Sequence, residues 1–541
     1  MAGSSLNFRD RAACFAALED RAFDVLVIGA GITGAGIGRE AAMRGLSVAI
    51  VDAKDIAAGT SSRSSKLIHG GMRYLAEGHI GIVREAARER KILRRIAPHL
   101  AQTTRLVVPC RTLRSILKFK TGMLAYERLG QVAKSEHHEI WDVERLAREE
   151  PELCTEGLRG AVAYPEYVTD DARLTLANVR SAAAHGAAVL TYAAIEEIFV
   201  ENGKACGAVA LDTLGGAHGA RIRARLIVNA AGPWMDAIRA LEDGDAPARL
   251  QLTKGIHVAL SRKRLPIRNT VIMNTPDKRS IFVVPRGRFV YFGTTDTFYP
   301  KAEYWPEITR DDVDYLLDVG SQTFRSGPFS DEDIVSLWSG VRPLLAQEGK
   351  GPSEISRRNE TLEGPAGVLS IAGGKLTSYR SVATRIVDAC VEKLGRGLTS
   401  SSTAEEALPG GDFAGSVEDL ASELLGQGLD SDEAERAARL FGSEAQQVYR
   451  EGAGLVEEVR WSVLHEGALT LEDYWVRRSA RARFDDEGGL ASLEPASETM
   501  AELLGWSEDE ALRQVEQCRA IRRNEMKALC AKEAEVGHVD R

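Results

Sequence analysis

The apolar stretch Phe23-Asp24-Val25-Leu26-Val27-Ile28 runs straight into Gly29-Ala30-Gly31-Ile32-Thr33-Gly34, and this junction limits the folds open to the chain more than any other feature. A strand feeds a Gly-x-Gly-x-x-Gly turn that opens a helix. Helical spacing continues to Met43, Gly45 ends it, and a second apolar strand from Ser47 to Val51 closes on Asp52. Strand, turn, helix and strand in this order make a βαβ unit suited to a dinucleotide. Gly29 permits the tight turn, Gly31 lets the backbone approach a pyrophosphate, and Gly34 lets helix and strand pack closely. The helix N-terminus offers N–H groups and a partial positive charge to phosphates. Asp52 is placed to accept hydrogen bonds from ribose hydroxyls. The bland alternative is a glycine-rich turn in another kind of α/β protein.

At 541 residues the chain is too long for one core, so two or three domains are expected. Its hydrophobic share of 44% and charged share of 27% suit a soluble globular protein. No stretch reaches the ~18 apolar residues of a membrane-spanning helix. The first twenty residues, with Arg9, Arg11, Glu19 and Asp20, lack a signal-peptide core. Seven scattered cysteines form no Cys-x-x-Cys pair, which favours reduced thiols over disulfides or a metal site. A net charge of −9 counts against a nucleic-acid partner.

Residues 82 to 150 read as mainly helical. Residues 160 to 230 mix short strands with a helical run from Ala172 to His185, and Arg225 to Trp234 reads as a buried strand ending in a small-residue turn. Residues 250 to 300 look like antiparallel strands, with Ile281–Pro285 and Phe289–Gly293 alternating about a tight Arg286-Gly287-Arg288 turn. Val368 to Ile371 runs into Ala372-Gly373-Gly374-Lys375 and a helix from Ser378 to Leu394. Gly395 to Gly411, rich in Ser, Thr and Gly, reads as a linker to a small helical domain. A nicotinamide enzyme usually carries its cofactor on one continuous run of alternating strands and helices. Here the βαβ unit breaks off after Asp52, and the chain returns to strand-plus-small-residue turns at Asn229–Pro233 and Gly373–Lys375. A cofactor touched by three distant segments is long and extended, as FAD is.

Thr60-Ser61-Ser62-Arg63-Ser64-Ser65-Lys66-Leu67-Ile68-His69-Gly70-Gly71-Met72-Arg73-Tyr74-Leu75 resembles the signature of FAD-dependent glycerol-3-phosphate dehydrogenases. So do Asp170-Asp171-Ala172-Arg173-Leu174, Asn229 to Trp234, Lys254-Gly255-Ile256-His257, Gly293-Thr294-Thr295-Asp296, Ser339 to Leu344 and Gly373 to Arg380, in the family's order and spacing. The resemblance implies an α/β architecture: a Rossmann-like FAD-binding domain interleaved with an antiparallel β-sheet substrate domain, plus a C-terminal α-helical domain. The oxidoreductase part would span residues 22–395. Its FAD-binding segments lie at about 22–80, 160–235 and 335–395, and its substrate-binding segments at about 81–159 and 236–334. Residues 396–411 would be the linker and 412–541 the helical domain.

The implied reaction removes a hydride from C2 of sn-glycerol 3-phosphate, giving dihydroxyacetone phosphate, and passes electrons from FAD to a membrane quinone. An oxidase of the same substrate, giving hydrogen peroxide from oxygen, is the alternative. A flavin-dependent amine or amino-acid oxidase is a more distant one. Arg342 and Arg73 match substrate-pocket arginines, whose planar fork suits phosphate, unless each forms an internal salt bridge. Tyr74, Arg357, Thr295 and Asp296 match neighbouring pocket positions, Asp296 orienting His257 or an arginine, or capping its turn. His257 is the leading general base, with Lys375 the other candidate for base or alkoxide stabiliser. For FAD the resemblance carries over Gly29, Gly31, Thr33, Gly34 and Asp52 at the adenosine and diphosphate end. Thr60, Ser61, Ser64, Ser65, Lys66 and His69 line the isoalloxazine side, and Ala231, Gly232, Trp234, Gly374, Lys375, Leu376 and Thr377 complete the pocket. Arg63 stands where a small residue is more usual.

Quinone reduction implies peripheral or monotopic docking at the inner face of the cell membrane by a cytoplasmic protein, with a homodimer as an expected assembly. Arg111 to Lys120 combines four cations with Leu, Ile and Phe and is either an interfacial segment or an ordinary amphipathic surface helix. Arg477, Arg478, Arg481 and Arg483 form a second basic cluster, suited on sequence to phosphate, lipid or a partner subunit.

Overall fold

The computed structural model describes residues 5–70, 80–275, 279–347, 359–397, 399–450, 452 and 454–536. The βαβ unit forms as read: strand Ala22–Ile28, helix Ile32–Met43 and strand Val48–Val51. Ala22–Ile28 lies at the centre of a parallel sheet, between Gly219–Asn229 and Val48–Val51. Leu369–Ala372 extends the sheet on one side and Ala188–Leu190 on the other. Val25, Leu26, Val27 and Ile50 are wholly buried, as expected for parallel strands covered on both faces. The register pairs Ile28 with both Asn229 and Val51, and Asn229 with Ser370, so four strand ends open onto one crevice. In such sheets ligands bind outside the carboxyl ends of the strands.

A second sheet is mainly antiparallel, with one parallel pair, Thr270 to Leu106. Its long strands Leu250–Ser261 and Ile334–Leu345 pair along their whole length, and Leu250–Ser261 also pairs with Phe289–Gly293. The predicted hairpin is present, Ser280–Arg286 against Phe289–Gly293. Three boundaries expected from sequence move. Leu67–Ile68, Gly160–Val168 and Ile334–Leu345 all belong to this second sheet rather than to the cofactor sheet, because each pairs antiparallel with a strand there. The expectation of a mainly helical 82–150 holds apart from its strands. Helices Ile80–Ile96, Leu113–Gly130 and Val143–Glu149 are present, but Gln102–Cys110 is a strand paired with Gly160–Val168. Its Thr-Thr-Arg-Leu-Val-Val core has the branched side chains that suit a pleated surface.

The segment read as a linker is a packed strap. The buried guanidinium of Arg39, on the βαβ helix, donates to Thr403 O (3.0 Å) and Glu406 O (2.8 Å), while Glu40 accepts from Ser401 Oγ and Thr403 Oγ1. Leu408 and Thr403 are buried. The helical region beyond the strap is fastened to the oxidoreductase part by buried ion pairs. Arg173 Nη1 reaches Glu466 Oε2 at 2.6 Å, and Arg180 reaches Glu444 at 2.7 Å. The basic cluster 477–483 is likewise interior. Arg477 and Arg478 bind Asp55, Arg481 binds Glu433, Glu458 and Asp485, and Arg483 binds Glu525. The reading of this cluster as a binding patch is therefore corrected. Asp55, Glu433, Glu458 and Glu525 lie far off in sequence, so only Glu472, Asp473 and Asp485 show along the chain as neighbouring acids. Arg173→Met is expected to leave Glu466 buried without its nearest cation and to lower stability by about 3–5 kcal/mol. The denaturant midpoint at unchanged slope measures this.

Candidate active site

The site lies where the crevice meets the second sheet. Gly29 turns the chain at φ +106°, a region that disfavours a side chain, and a Cβ there would lie 2.6 Å from Ala230 O. At Gly34 a Cβ would lie 1.9 Å from Gly29 O, so helix and turn touch backbone to backbone. Ser61 Oγ accepts from the Ile32 N–H (2.9 Å) at the helix N-terminus, beside Gly31. Asp52 Oδ2 accepts from Ala30 N (2.6 Å) and Oδ1 from Lys54 N (2.9 Å), leaving acceptor capacity on both oxygens. Burial raises its carboxyl to about 6, against the pull of those two N–H groups. Gly374 faces Thr33, its Cβ position 3.5 Å from Thr33 Oγ1, and Thr377 Oγ1 donates to His69 O (3.3 Å). Lys375 is half-buried and precedes the short turn Leu376–Ser378. Ala231 and Gly232 follow the Gly219–Asn229 strand, and the Trp234 ring lies against Gly59 and stacks on Tyr304 at 4.3 Å. The glycine cradle, the helix N-terminus, the acid and the three converging turns fit an extended dinucleotide such as FAD.

The loop 60–70 ties this crevice to the second sheet. Thr60 Oγ1 donates to Val341 O (2.6 Å), and Ser64 donates to Asp171 Oδ2 through both N (2.9 Å) and Oγ (2.7 Å). The Lys66 ammonium is turned inward onto Asp171 Oδ1 (2.5 Å) and Ser62 O (3.1 Å), so its charge is neutralised inside the protein. Ser65 Oγ hydrogen-bonds His257 Nε2 (3.1 Å), and its carbonyl accepts from Tyr291 OH (3.0 Å). Arg63 is buried, its guanidinium 3.8 Å from the centre of the Trp305 ring, and burial beside Arg483 lowers its pKa to about 9.

His257 and Arg342 share one corner of the second sheet. His257 pairs with Trp338 and Gly293 across its two neighbouring strands, and its ring stacks flat on Trp338 at 4.7 Å and 7°. Nδ1 is buried and has no hydrogen-bond partner among the described residues. Burial, with Arg342, Lys66 and Arg483 adding positive charge, holds the imidazole well below its usual pKa, so it is neutral at physiological pH. The Arg342 guanidinium lies over Gly255, two residues before His257 and on the same face of the strand. A Cβ at 255 would fall 1.9 Å from its nitrogen. Arg342 pairs with Asp296 Oδ1 (3.2 Å) and donates to Thr294 Oγ1 (2.6 Å), while its side chain stays 20% exposed. Asp296 thus orients the arginine. The Thr295 hydroxyl accepts from Ile256 N (3.1 Å) and fixes the turn to the strand.

Arg73, Tyr74 and Arg357 lie outside the described residues. Sequence reasoning missed Trp338, Tyr291 and the role of Asp171. Trp338 directly precedes the Ser339-Gly340 motif, but only the pairing register shows that it faces His257.

Residues 24–380 match the model of the FAD dependent oxidoreductase family, and residues 401–511 that of the C-terminal domain of alpha-glycerophosphate oxidase. The aerobic glycerol-3-phosphate dehydrogenase of Staphylococcus epidermidis is 38% identical over 516 residues, 91% of this chain and 92% of that protein. The glycerol-3-phosphate dehydrogenase of Bacillus halodurans, solved with FAD, superposes with a TM-score of 0.81 at 32% identity, covering 97% of this chain and 99% of the other. The FAD-bound L-alpha-glycerophosphate oxidase of Mycoplasma pneumoniae shares the fold at 17% identity. Its TM-score is 0.55, over 72% of this chain and 99% of that one.

Gly255→Ala is expected to displace the Arg342 guanidinium while costing about 1–3 kcal/mol of stability. Binding of inorganic phosphate, followed by calorimetry, should weaken about tenfold as the bidentate fork is lost.

Proposed function

We propose that this chain, which belongs to the family of FAD-dependent aerobic glycerol-3-phosphate dehydrogenases, oxidises sn-glycerol 3-phosphate to dihydroxyacetone phosphate and delivers the electrons to a membrane quinone. The carrying observation is the corner itself: a partly exposed arginine and a neutral histidine on one face of the second sheet, from two paired strands, next to the loop that borders the FAD crevice. Bound FAD supplies the acceptor for the hydride that leaves C2. The remaining tasks fall to the protein. Arg342 binds the phosphate dianion, which displaces the weaker claim of Asp296 on its fork. Arg73, Tyr74 and Arg357, carried over from the family signature, add to that grip. His257 takes the proton of the C2 hydroxyl, held in orientation by Trp338 and Ser65. Lys375 is the second candidate for that proton, or steadies the alkoxide. When a dianion settles on Arg342, part of the positive charge that depresses His257 is offset, so the imidazole becomes a better base as substrate arrives.

Anaerobic mixing with sn-glycerol 3-phosphate should bleach the flavin's visible absorbance. Reoxidation by a quinone analogue much faster than by air supports the dehydrogenase. Fast reoxidation by air would make the protein an oxidase, and no bleaching would overturn the substrate. Arg342→Ala should lose phosphate-dependent binding and keep FAD, and His257→Ala should slow bleaching by about 10²–10⁴. Activity falls as pH drops and the imidazole charges. The acid limb of kcat/KM should therefore lie below the ordinary histidine range, and that of kcat at higher pH.

Membrane docking is supported by the helix Leu113–Gly130. Leu113, Leu117 and Leu124, at i, i+4 and i+11, form one stripe and are 72%, 64% and 53% exposed. Arg111, Arg114, Lys118, Lys120 and Arg128 surround them, and the adjoining helix Ile80–Ile96 exposes Arg84, Arg88, Lys91 and Arg95 along its own stripe. Among the described residues no helix is long and apolar enough to cross a membrane. An apolar stripe inside a cationic field fits an anionic lipid surface. Leu117→Asp is expected to release the protein from anionic vesicles in a flotation assay while leaving bleaching intact.

A further inference from the structure

We propose that the C-terminal helical region acts as a positioning wedge for the cofactor crevice, with Arg477 and Arg478 as the residues that hold the loop after Asp52 in place. The loop Asp52–Ala58 bears the acid aimed at the cofactor and is the outer wall of the glycine turn, since Ala57 N donates to Ala30 O (3.2 Å). Three residues beyond Asp52, the buried Asp55 carboxylate is gripped by Arg478 through Nη1 (2.7 Å) and Nη2 (2.8 Å) and by Arg477 through Nε (2.6 Å). A π-helical turn, Asp473–Arg478, brings these two consecutive arginines to one carboxylate. Arg477 also binds Glu472 (2.7 Å) and Asp473 (2.6 Å), and Lys54 lies 3.6 Å from Glu472. Lys54, Arg477 and Arg478 thus face Asp55, Glu472 and Asp473, a balanced set of charges buried at the Asp55 end and reaching solvent at Lys54. Burial opposes the ionisation of Asp55, but the two arginines hold its pKa below the usual carboxylate value.

The grip is double-sided. Asp473 accepts from Tyr192 OH (2.7 Å), whose backbone N donates to Lys54 O (3.0 Å), and Ala193 N donates to Asp52 O (2.7 Å). Arg478 is itself steadied by Glu466 O (2.9 Å), on the residue that pairs with Arg173. The same C-terminal stretch reaches the other side of the site. Arg483 donates to Leu337 O (3.0 Å), Ser336 Oγ donates to Arg483 O (2.8 Å), and Phe484 packs on Trp338 and Tyr291 (5.8 and 5.7 Å), behind His257. A charge set that needs both fork geometry and exact partners specifies one position of the loop, where apolar packing would tolerate several.

The test uses the full-length holoenzyme and reads cofactor retention, so it stands apart from the substrate assignment. Arg478→Lys keeps the charge and removes the fork. Asp55→Asn removes the central carboxylate, and Glu472→Gln, at the less buried end of the set, serves if Asp55→Asn does not fold. Arg436→Lys, at the Arg436–Glu458 pair within the helical region, is the control for general destabilisation. Released-flavin fluorescence and circular dichroism are followed on the same heating ramp, and FAD dissociation is measured at a temperature where all variants stay folded. The proposal expects Arg478→Lys and Asp55→Asn or Glu472→Gln to dissociate FAD about tenfold faster and to release it below their unfolding transition. Arg436→Lys should release it only on unfolding. It is overturned if FAD release follows unfolding in every variant, as in the control, or if retention is unchanged.

Discussion

One buried carboxylate, Asp171, carries the seam between the two sheets. It receives two hydrogen bonds from Ser64 and an ion pair from Lys66, all in a loop whose neighbours reach the helix N-terminus, the Arg342 strand and His257. Desolvating a lone carboxylate or ammonium costs several kcal/mol, so neither charge is tolerable without the other. That mutual need fixes the loop, and the loop fixes the distance between the cofactor crevice and the substrate corner. Its neighbour Asp170 extends the device, capping the helix Asp171–Ala184 and binding Arg286 of the hairpin at 2.6 Å. The Asp170-Asp171 motif is therefore structural in position and functional in effect.

The substrate corner follows a second rule, that charge is held ready but not idle. In the proposed reading Arg342 waits on Asp296 and Thr294, with an Asp296 contact at 3.2 Å that a bidentate phosphate would replace. His257 is kept uncharged by burial and by the same arginine. In the proposed reading, binding and basicity are coupled through this one cation.

How much of this was legible in the chain depends on range. The βαβ unit, the 280–293 hairpin and the family motifs were readable because local periodicity and turn residues define them. The strand Gln102–Cys110 was not, since charge-rich helices flank it on both sides. The strap 396–411 looked loose because its partners, Arg39 and Glu40, lie more than three hundred residues earlier. The arginines 477–483 looked like a surface patch for the same reason. Besides the nearby Glu472, Asp473 and Asp485, their acids are Asp55 and, on three separate helices, Glu433, Glu458 and Glu525. Of the motif residues, His257, Thr295, Asp296 and Arg342 gather at one corner, Lys66 turns inward onto Asp171 instead of the cofactor side, and Arg73 and Tyr74 lie outside the described residues. Trp338 did not announce itself, because a tryptophan in a buried strand reads as core until its cross-strand partner is known.

The order of strands in the parallel sheet has a consequence for synthesis. Its central strand, Ala22–Ile28, leaves the ribosome well before its neighbour, which ends at Asn229, and the strand beyond that, which ends at Ala372. Pairings between segments this far apart pay a loop-closure entropy that local contacts do not, and they form late. The nascent protein therefore carries this apolar strand with one open edge until Asn229 has emerged, and then the edge of Gly219–Asn229 until Ala372 has. The crevice closes only on segments that arrive after its first strand, so its maturation waits on Leu369–Ala372 rather than on the βαβ unit alone.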